Sequence, residues 1–235
     1  MEISLTFDTD WVDELAIIYV VNLLNKYDQN ATFFATNKYE IFSDNGFTHE
    51  IGLHPNFNNL LNKGEKSFKE IIDEIHSIYP SAKGFRSHSL TTSSHILAYF
   101  KELGFAYDSN IFHPKNISGY HDHSGLYRFV HNYVDLGHLI EERELKIDNM
   151  NLSKSNLNIL DFHPIHIYLN TPSVEYYNKY KTHTNSKHLS DFINKYDFGI
   201  GDLFIELLKY MRKNNIKSNS LIKNYENLRR INKVI

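Results

Sequence analysis

The 235-residue chain contains no cysteine. Disulfide scaffolds, cysteine-ligated zinc folds and thiol nucleophiles are thereby excluded. Proline is scarce, with five residues, and the ten glycines form no repeat, so no Pro/Ser-rich linker divides the sequence. No apolar run approaches the ~20 residues needed to span a bilayer. The longest stretch, residues 15–24, is interrupted by Asn22 and suits a buried helix. The opening MEISLTFDTDW has no basic leader, apolar core or small-residue cleavage site, so the expectation is a cytoplasmic protein with at most peripheral membrane contact. Charge of neither sign dominates: the net value is −3, and nothing calls for nucleic acid as a partner.

What is present is the mixture of a folded chain: 41% hydrophobic and 23% charged residues. At this length roughly 70–75% of the unfolded surface can be buried without staples. No internal repeat is visible, so one domain is expected over 1–235. Within it, 201–235 forms a helical segment carrying eight Lys/Arg against three Asp/Glu, either a solvated basic face or a contact for an anionic surface.

Short alternating or apolar runs at 2–7, 31–35, 47–53, 83–87, 104–108, 126–136 and 157–162 predict strands. Helical spacing covers 11–27, with Asp10 as N-cap, 67–78, with Ser67 and Glu70 as a capping box, 92–103, and 201–214, with Asp202 as cap. Residues 164–200 hold seven Tyr or Phe and are long for a bare loop, so they carry some helix and border a substrate region. Strand–helix alternation predicts an α/β architecture.

Polar residues gather where these strands end. Asp8 and Asp10 follow the first strand, and His54 and Asn58 follow EIGL. Arg86 and His88 follow KGF, Asp108 and Asn110 follow GFAY, and His163 follows LNILDF. In a parallel α/β barrel such ends converge on one face, where active sites are built. Asp8 and Asp10 point the same way if the chain stays extended, which suits one metal ligand and one base. His54 and Asn58, four apart, would share a side on a helical turn. Arg86 could hold a carboxylate ionised, and His163, beside a proline, suits a positioned general acid held by Asp161 or Asp108.

In this order, TFDTDW, EIGLHPNFN, GFRSHS, YDSN and LDFHP resemble the five motifs of the NodB-like polysaccharide deacetylases, metal-dependent carbohydrate esterases, over about residues 1–170. They look most like the variants of polysaccharide and O-antigen assembly that lack an export signal. The resemblance implies an irregular (β/α) barrel of about seven parallel strands. It implies Asp8 as general base, Asp10, His54 and Asn58 as metal ligands, Arg86 orienting Asp8 or a neighbour, and His163 as general acid. The sequence departs from the usual pattern in three places. Thr9 separates the aspartates, Asn58 stands where a second histidine is usual, and Ser87-His88 replace a proline. If Asn58 does not ligate, His49 or His88 replaces it.

The implied activity is hydrolysis of an N-acyl group, N-acetyl first, from a sugar or glycan precursor. It would use a divalent metal, zinc first, with cobalt, nickel, manganese and iron as alternatives. Two other readings stand beside it: hydrolysis of a small amide, imide or formyl substrate, and a non-catalytic glycan-binding barrel. Oligomeric state is not legible.

Overall fold

The computed structural model describes residues 1–235 apart from Trp11, 62–65, Ser118, 184–187 and 233–235, and apart from the side chains of Asn59, Leu61, His183 and Asn232. Among the described residues nine strands form one sheet: β1 (Glu2–Asp8), β2 (Ala31–Ala35), β3 (Glu50–Leu53), β4 (Gly84–Phe85), β5 (Tyr107–Phe112), β6 (Tyr120–His121), β7 (Tyr127–His131), β8 (Tyr133–Val134) and β9 (Leu157–Phe162). Their order is β6-β7-β5-β4-β3-β2-β1-β9-β8. Every pairing is parallel except β6 with β7. The sheet curls into an α/β half-barrel, the architecture that the resemblance implied.

The helices are α1 (Glu14–Tyr27), α2 (Asn58–Leu61), α3 (Phe68–Ile78), α4 (Ser94–Glu102), α5 (Asp135–Ile140), α6 (Pro164–Tyr168), α7 (Val174–Tyr180), α8 (Ile200–Lys213) and α9 (Leu221–Asn232). The capping box at Ser67 and Glu70 is present. The α1 cap is Asp13, whose carboxylate accepts from the Leu15 N–H at 2.8 Å, so the helix starts at Glu14 and Asp10 is released for another role. The helix predicted from residue 11 began on Trp11, which lies outside the described residues. Asp202 does not cap α8 by position; it sits at the third helical residue and reaches back to the N–H of Gly199 at 3.2 Å.

Strand period two gives the sheet two unlike faces. Ile3, Leu5 and Phe7 of β1, Phe33 and Ala35 of β2, and Leu160 and Phe162 of β9 belong to the main apolar core with α1 and α8. The opposite face carries Thr6 and Asp8, paired in register with Thr32 and Phe34. Phe34, Tyr107, Tyr127, Phe129, Ile159 and Leu221 form a second, smaller cluster on that side. Gly84 makes room for it: a Cβ there would lie 1.9 Å from the Tyr107 ring. Burial of the main face at roughly 25 cal/mol per Å² of apolar surface is the dominant stabilising effect.

At the N-terminal ends of the strands, the segment entering α9 closes the barrel. Leu221 N–H donates to Thr32 Oγ1 at 2.9 Å and Ile222 N–H to Glu50 Oε2 at 2.9 Å. Asn224 donates to Ser4 Oγ at 2.6 Å. One side of the C-terminal basic segment is therefore structural. No described helix is long and apolar enough to cross a membrane.

Candidate active site

The C-terminal strand ends carry the polar centre. Ladder bonds run past the strands and fix the loops that follow: Thr9 N–H to Phe34 O at 3.1 Å, His54 N–H to Ala35 O at 2.8 Å, and Arg86 N–H to Leu53 O at 3.0 Å. Thr9 itself is pinned, since its carbonyl accepts from Thr36 Oγ1 at 2.8 Å and from the Tyr39 hydroxyl at 2.9 Å. The aspartates on either side of it both turn to the centre.

Asp10 Oδ1 lies 2.8 Å from His88 Nδ1 and 3.2 Å from His54 Nε2, and Asp10 Oδ2 lies 3.6 Å from His163 Nε2. Burial opposes ionisation of Asp10, yet His54, His163 and His88 facing it hold its carboxyl far below the usual range. His54 is 2% exposed, and neither ring nitrogen makes a hydrogen bond. Its Nδ1 is 3.7 Å from Asp8 Oδ1. A buried imidazole without hydrogen-bond partners is costly unless something else takes its lone pair. Asp10, His54 and His88 can share one ion, all three ligand atoms lying within 4.8 Å of one another. One carboxylate and two imidazoles are a donor set for zinc and its first-row neighbours.

Beneath this cluster Arg86 is wholly buried. Its Nη1 donates to Asp8 Oδ1 at 3.0 Å, to Thr6 Oγ1 at 3.0 Å and to Asp161. Nε and Nη2 donate to Ser109 O at 3.0 Å and Ser109 Oγ at 2.9 Å, and the guanidinium lies over the Phe34 ring. Burial and the adjacent Asp8 carboxylate push the Asp161 carboxyl up, against the pull of Arg86.

His163 is held by a residue that the sequence reading passed over. Asp135, at the start of α5, accepts from His163 Nδ1 at 2.7 Å and from its backbone N–H at 2.7 Å. This fixes the ring and leaves Nε2 facing Asp10. Burial disfavours the imidazolium, but Asp135 outweighs it and raises the His163 pKa well above its ordinary value. Neither Asp161 nor Asp108 holds His163: Asp161 pairs with Arg86, and Asp108 is clasped by Arg128 through two bonds of 2.9 Å. YDSN supplies a scaffold instead, Asn110 accepting from the Ser87 N–H at 2.7 Å.

Asp8, Asp10, His54, Arg86 and His163 thus meet. Asn58 is different. Residues 54–57 are not helical, α2 begins only at Asn58, and among the described residues no hydrogen bond ties its side chain to the cluster. The helical turn that would align it with His54 is absent. His49 is also apart, packed between Phe33 and Phe47 at ring distances of 5.6 and 5.3 Å. The five residues from it to His54 span about 16 Å in extended chain.

A carboxylate–imidazole centre at the mouth of a parallel α/β half-barrel, with a buried Arg–Asp pair beneath it, is the architecture of a metal-assisted hydrolase. The chain belongs to the WbmS-like polysaccharide deacetylase family, whose model matches residues 5–181. It is thus a carbohydrate deacetylase with the NodB-like fold. It is similar to a solved structure from Bordetella bronchiseptica, described as a polysaccharide deacetylase involved in O-antigen biosynthesis. Identity is 28% over 88% of this chain and 90% of that one, with a TM-score of 0.83. The peptidoglycan deacetylase PdaC of Bacillus subtilis shares the fold at 12% identity over 99% and 95% of the chains, TM-score 0.52. The peptidoglycan N-acetylglucosamine deacetylase Bc1960 shares it at 16% over 94% and 86%, TM-score 0.54. No curated protein sequence matches significantly.

Proposed function

We propose that the protein hydrolyses the N-acetyl group of an amino sugar in a cytoplasmic glycan precursor of cell-surface polysaccharide assembly, with Asp8 as general base and His163 as general acid. The observation that carries this reading is that Asp8 and His163 both border the Asp10–His54 cluster, each with its own fixed partner. A glycan-binding barrel needs no such pair.

Asp10 and His54, with a third donor, would hold a divalent cation, zinc first. Such a cation supplies Lewis acidity, polarising the amide carbonyl and acidifying water. The ion pair with Arg86 fixes the position of Asp8, which takes the proton of the attacking water. His163 carries its proton on Nε2, the nitrogen that Asp135 leaves free, and delivers it to the sugar nitrogen as the C–N bond breaks. The products are acetate and a free amino sugar. Among the aromatic residues between 164 and 200, Tyr177 packs on His166 at 4.6 Å, and His166 packs on His163 at 5.6 Å. This makes α7 a wall of the substrate region.

The test is acetate release from nucleotide-linked and lipid-linked N-acetylated sugars by the metal-loaded protein. Release from one of them, lost in Asp8→Asn, is the expected result. No release from any, together with tight binding of the intact sugar, would favour the binding barrel.

A further inference from the structure

We propose that the third metal ligand has changed strands: His88, in the turn after β4, replaces residue 58 and completes the site with Asp10 and His54. This rests on the reading that the centre holds a divalent cation.

Three observations converge on it. The first is distance. With ligand bonds of about 2.0–2.1 Å, neighbouring donors of a tetrahedral ion stand ~3.3 Å apart. Asp10 Oδ1 is 3.2 Å from His54 Nε2, close to that spacing, and 2.8 Å from His88 Nδ1, a hydrogen bond that an ion would open by ~0.5 Å. The two rings meet edge to face at 5.8 Å, with both aimed at the same carboxylate oxygen.

The second is backbone anchoring. His88 N–H donates to Pro55 O at 3.0 Å, so the residue after one proposed ligand holds the other. Immediately beyond, Ser89 and Leu90 have φ of 55° and 54°. Consecutive non-glycine residues in the left-handed region are strained, and such strain persists only where surrounding structure enforces it. Here the turn is closed by Leu90 N–H to Ser87 O at 2.9 Å, and Ser87 N–H is bound by Asn110. The turn that follows is thus fixed on both sides of His88, whose ring faces Asp10 at the mouth.

The third is the state of the competing groups. The other carboxylate–imidazole sets among the described residues, Asp135–His163–His166 and Asp8–Asp161–His163, have every imidazole engaged by a hydrogen-bond partner, whereas in the Asp10 set only His88 is, through Asp10 itself. His163 is paired with Asp135, His166 with Thr171 Oγ1 at 3.2 Å, and Asp161 with Arg86. His54 alone of these has both nitrogens without a hydrogen bond.

The swap is tested on the full chain, stripped of metal and titrated with Co(II) and Zn(II). Stoichiometry, affinity against a chromophoric chelator and the visible Co(II) absorption are the readouts. Wild type should bind one ion. Asn58→Ala should stay within about threefold, while His88→Ala and His88→Gln should weaken binding by ~100-fold or more and alter the Co(II) spectrum, since even partners of ligands cost 10–100-fold. The double variant His88→Ala/Asn58→His should recover part of the lost affinity, which a general folding defect would not allow. Equal weakening by Asn58→Ala, or binding unchanged in both His88 variants but lost in Asp10→Ala, overturns the ligand assignment and leaves the metal-dependent reading intact. No binding of any ion by folded wild type overturns both.

Discussion

The two mouths of the half-barrel each enclose a carboxylate, and they treat it in opposite ways. At the N-terminal mouth Glu50 accepts from the Tyr107 hydroxyl at 2.6 Å, Thr32 Oγ1 at 2.7 Å and the Ile222 N–H at 2.9 Å. All three donors are neutral; burial outweighs them and raises the Glu50 pKa. At the C-terminal mouth Asp10 faces three imidazoles and is held strongly ionised, while His54 lacks hydrogen bonds. A saturated neutral network rigidifies; an incomplete charged one is poised to take a ligand. The same barrel thus has a closed end that stores stability and an open end where it is given up for chemistry.

Substitutions can break or sharpen that contrast. The largest effect belongs to the open end: Asp8→Asn should lower kcat by about 10³-fold while metal content is kept, read from acetate release and elemental analysis. Parallel loss of metal would contradict a base. At the closed end, Glu50→Ala strands three donors and should cost about 3 kcal/mol in denaturant unfolding, with kcat per folded molecule unchanged. A fall in kcat there would mean that the two mouths are coupled. Asp135→Asn should reduce kcat by ~10–100-fold and shift the alkaline limb of the pH–rate profile downward, because His163 loses the partner that keeps it charged.

The smallest effect lies beside the closed mouth, at His49, one residue before Glu50. Burial lowers its pKa to about 4 from the ordinary 6.5. The unfolded chain therefore binds a proton first as pH falls. Stability is full above 6.5 and drains away toward pH 4, by about 1 kcal/mol at pH 5.5. His49→Phe, seated against Phe33 and Phe47, should abolish that slope in acid unfolding curves.

The strands and most of the centre were legible because a buried parallel strand and a polar residue at its end are local signals. EIGL followed by His54, or LNILDF followed by His163, needs no knowledge of the rest of the chain. Asp135 obeys the same rule, one residue past YV of β8, but the strand predicted over 126–136 runs through it and hides that end. Asp108 misled for the converse reason: β5 runs on to Phe112, so this aspartate lies inside the strand, where Arg128 on β7 claims it. The spacing of His54 and Asn58 suggested a shared helical face, whereas the chain stays irregular until α2 begins. The approach of His88 to Asp10 rests on a long-range bond, its N–H to Pro55 O, and is followed by two left-handed residues that no composition rule anticipates at Ser-Leu.

The closed mouth also dictates an order of events. Its bonds join residues near 220 to Ser4, Thr32 and Glu50, and β1 takes β9 as a neighbour across some 155 positions. During synthesis β1, β2 and β3 can pair early, but their floor emerges well after them. Until then the nascent sheet shows an uncovered lumen of Phe34, Tyr107 and Phe129, a surface that invites chaperone capture. High contact order of this kind makes slow folding the natural companion of a rigid barrel base.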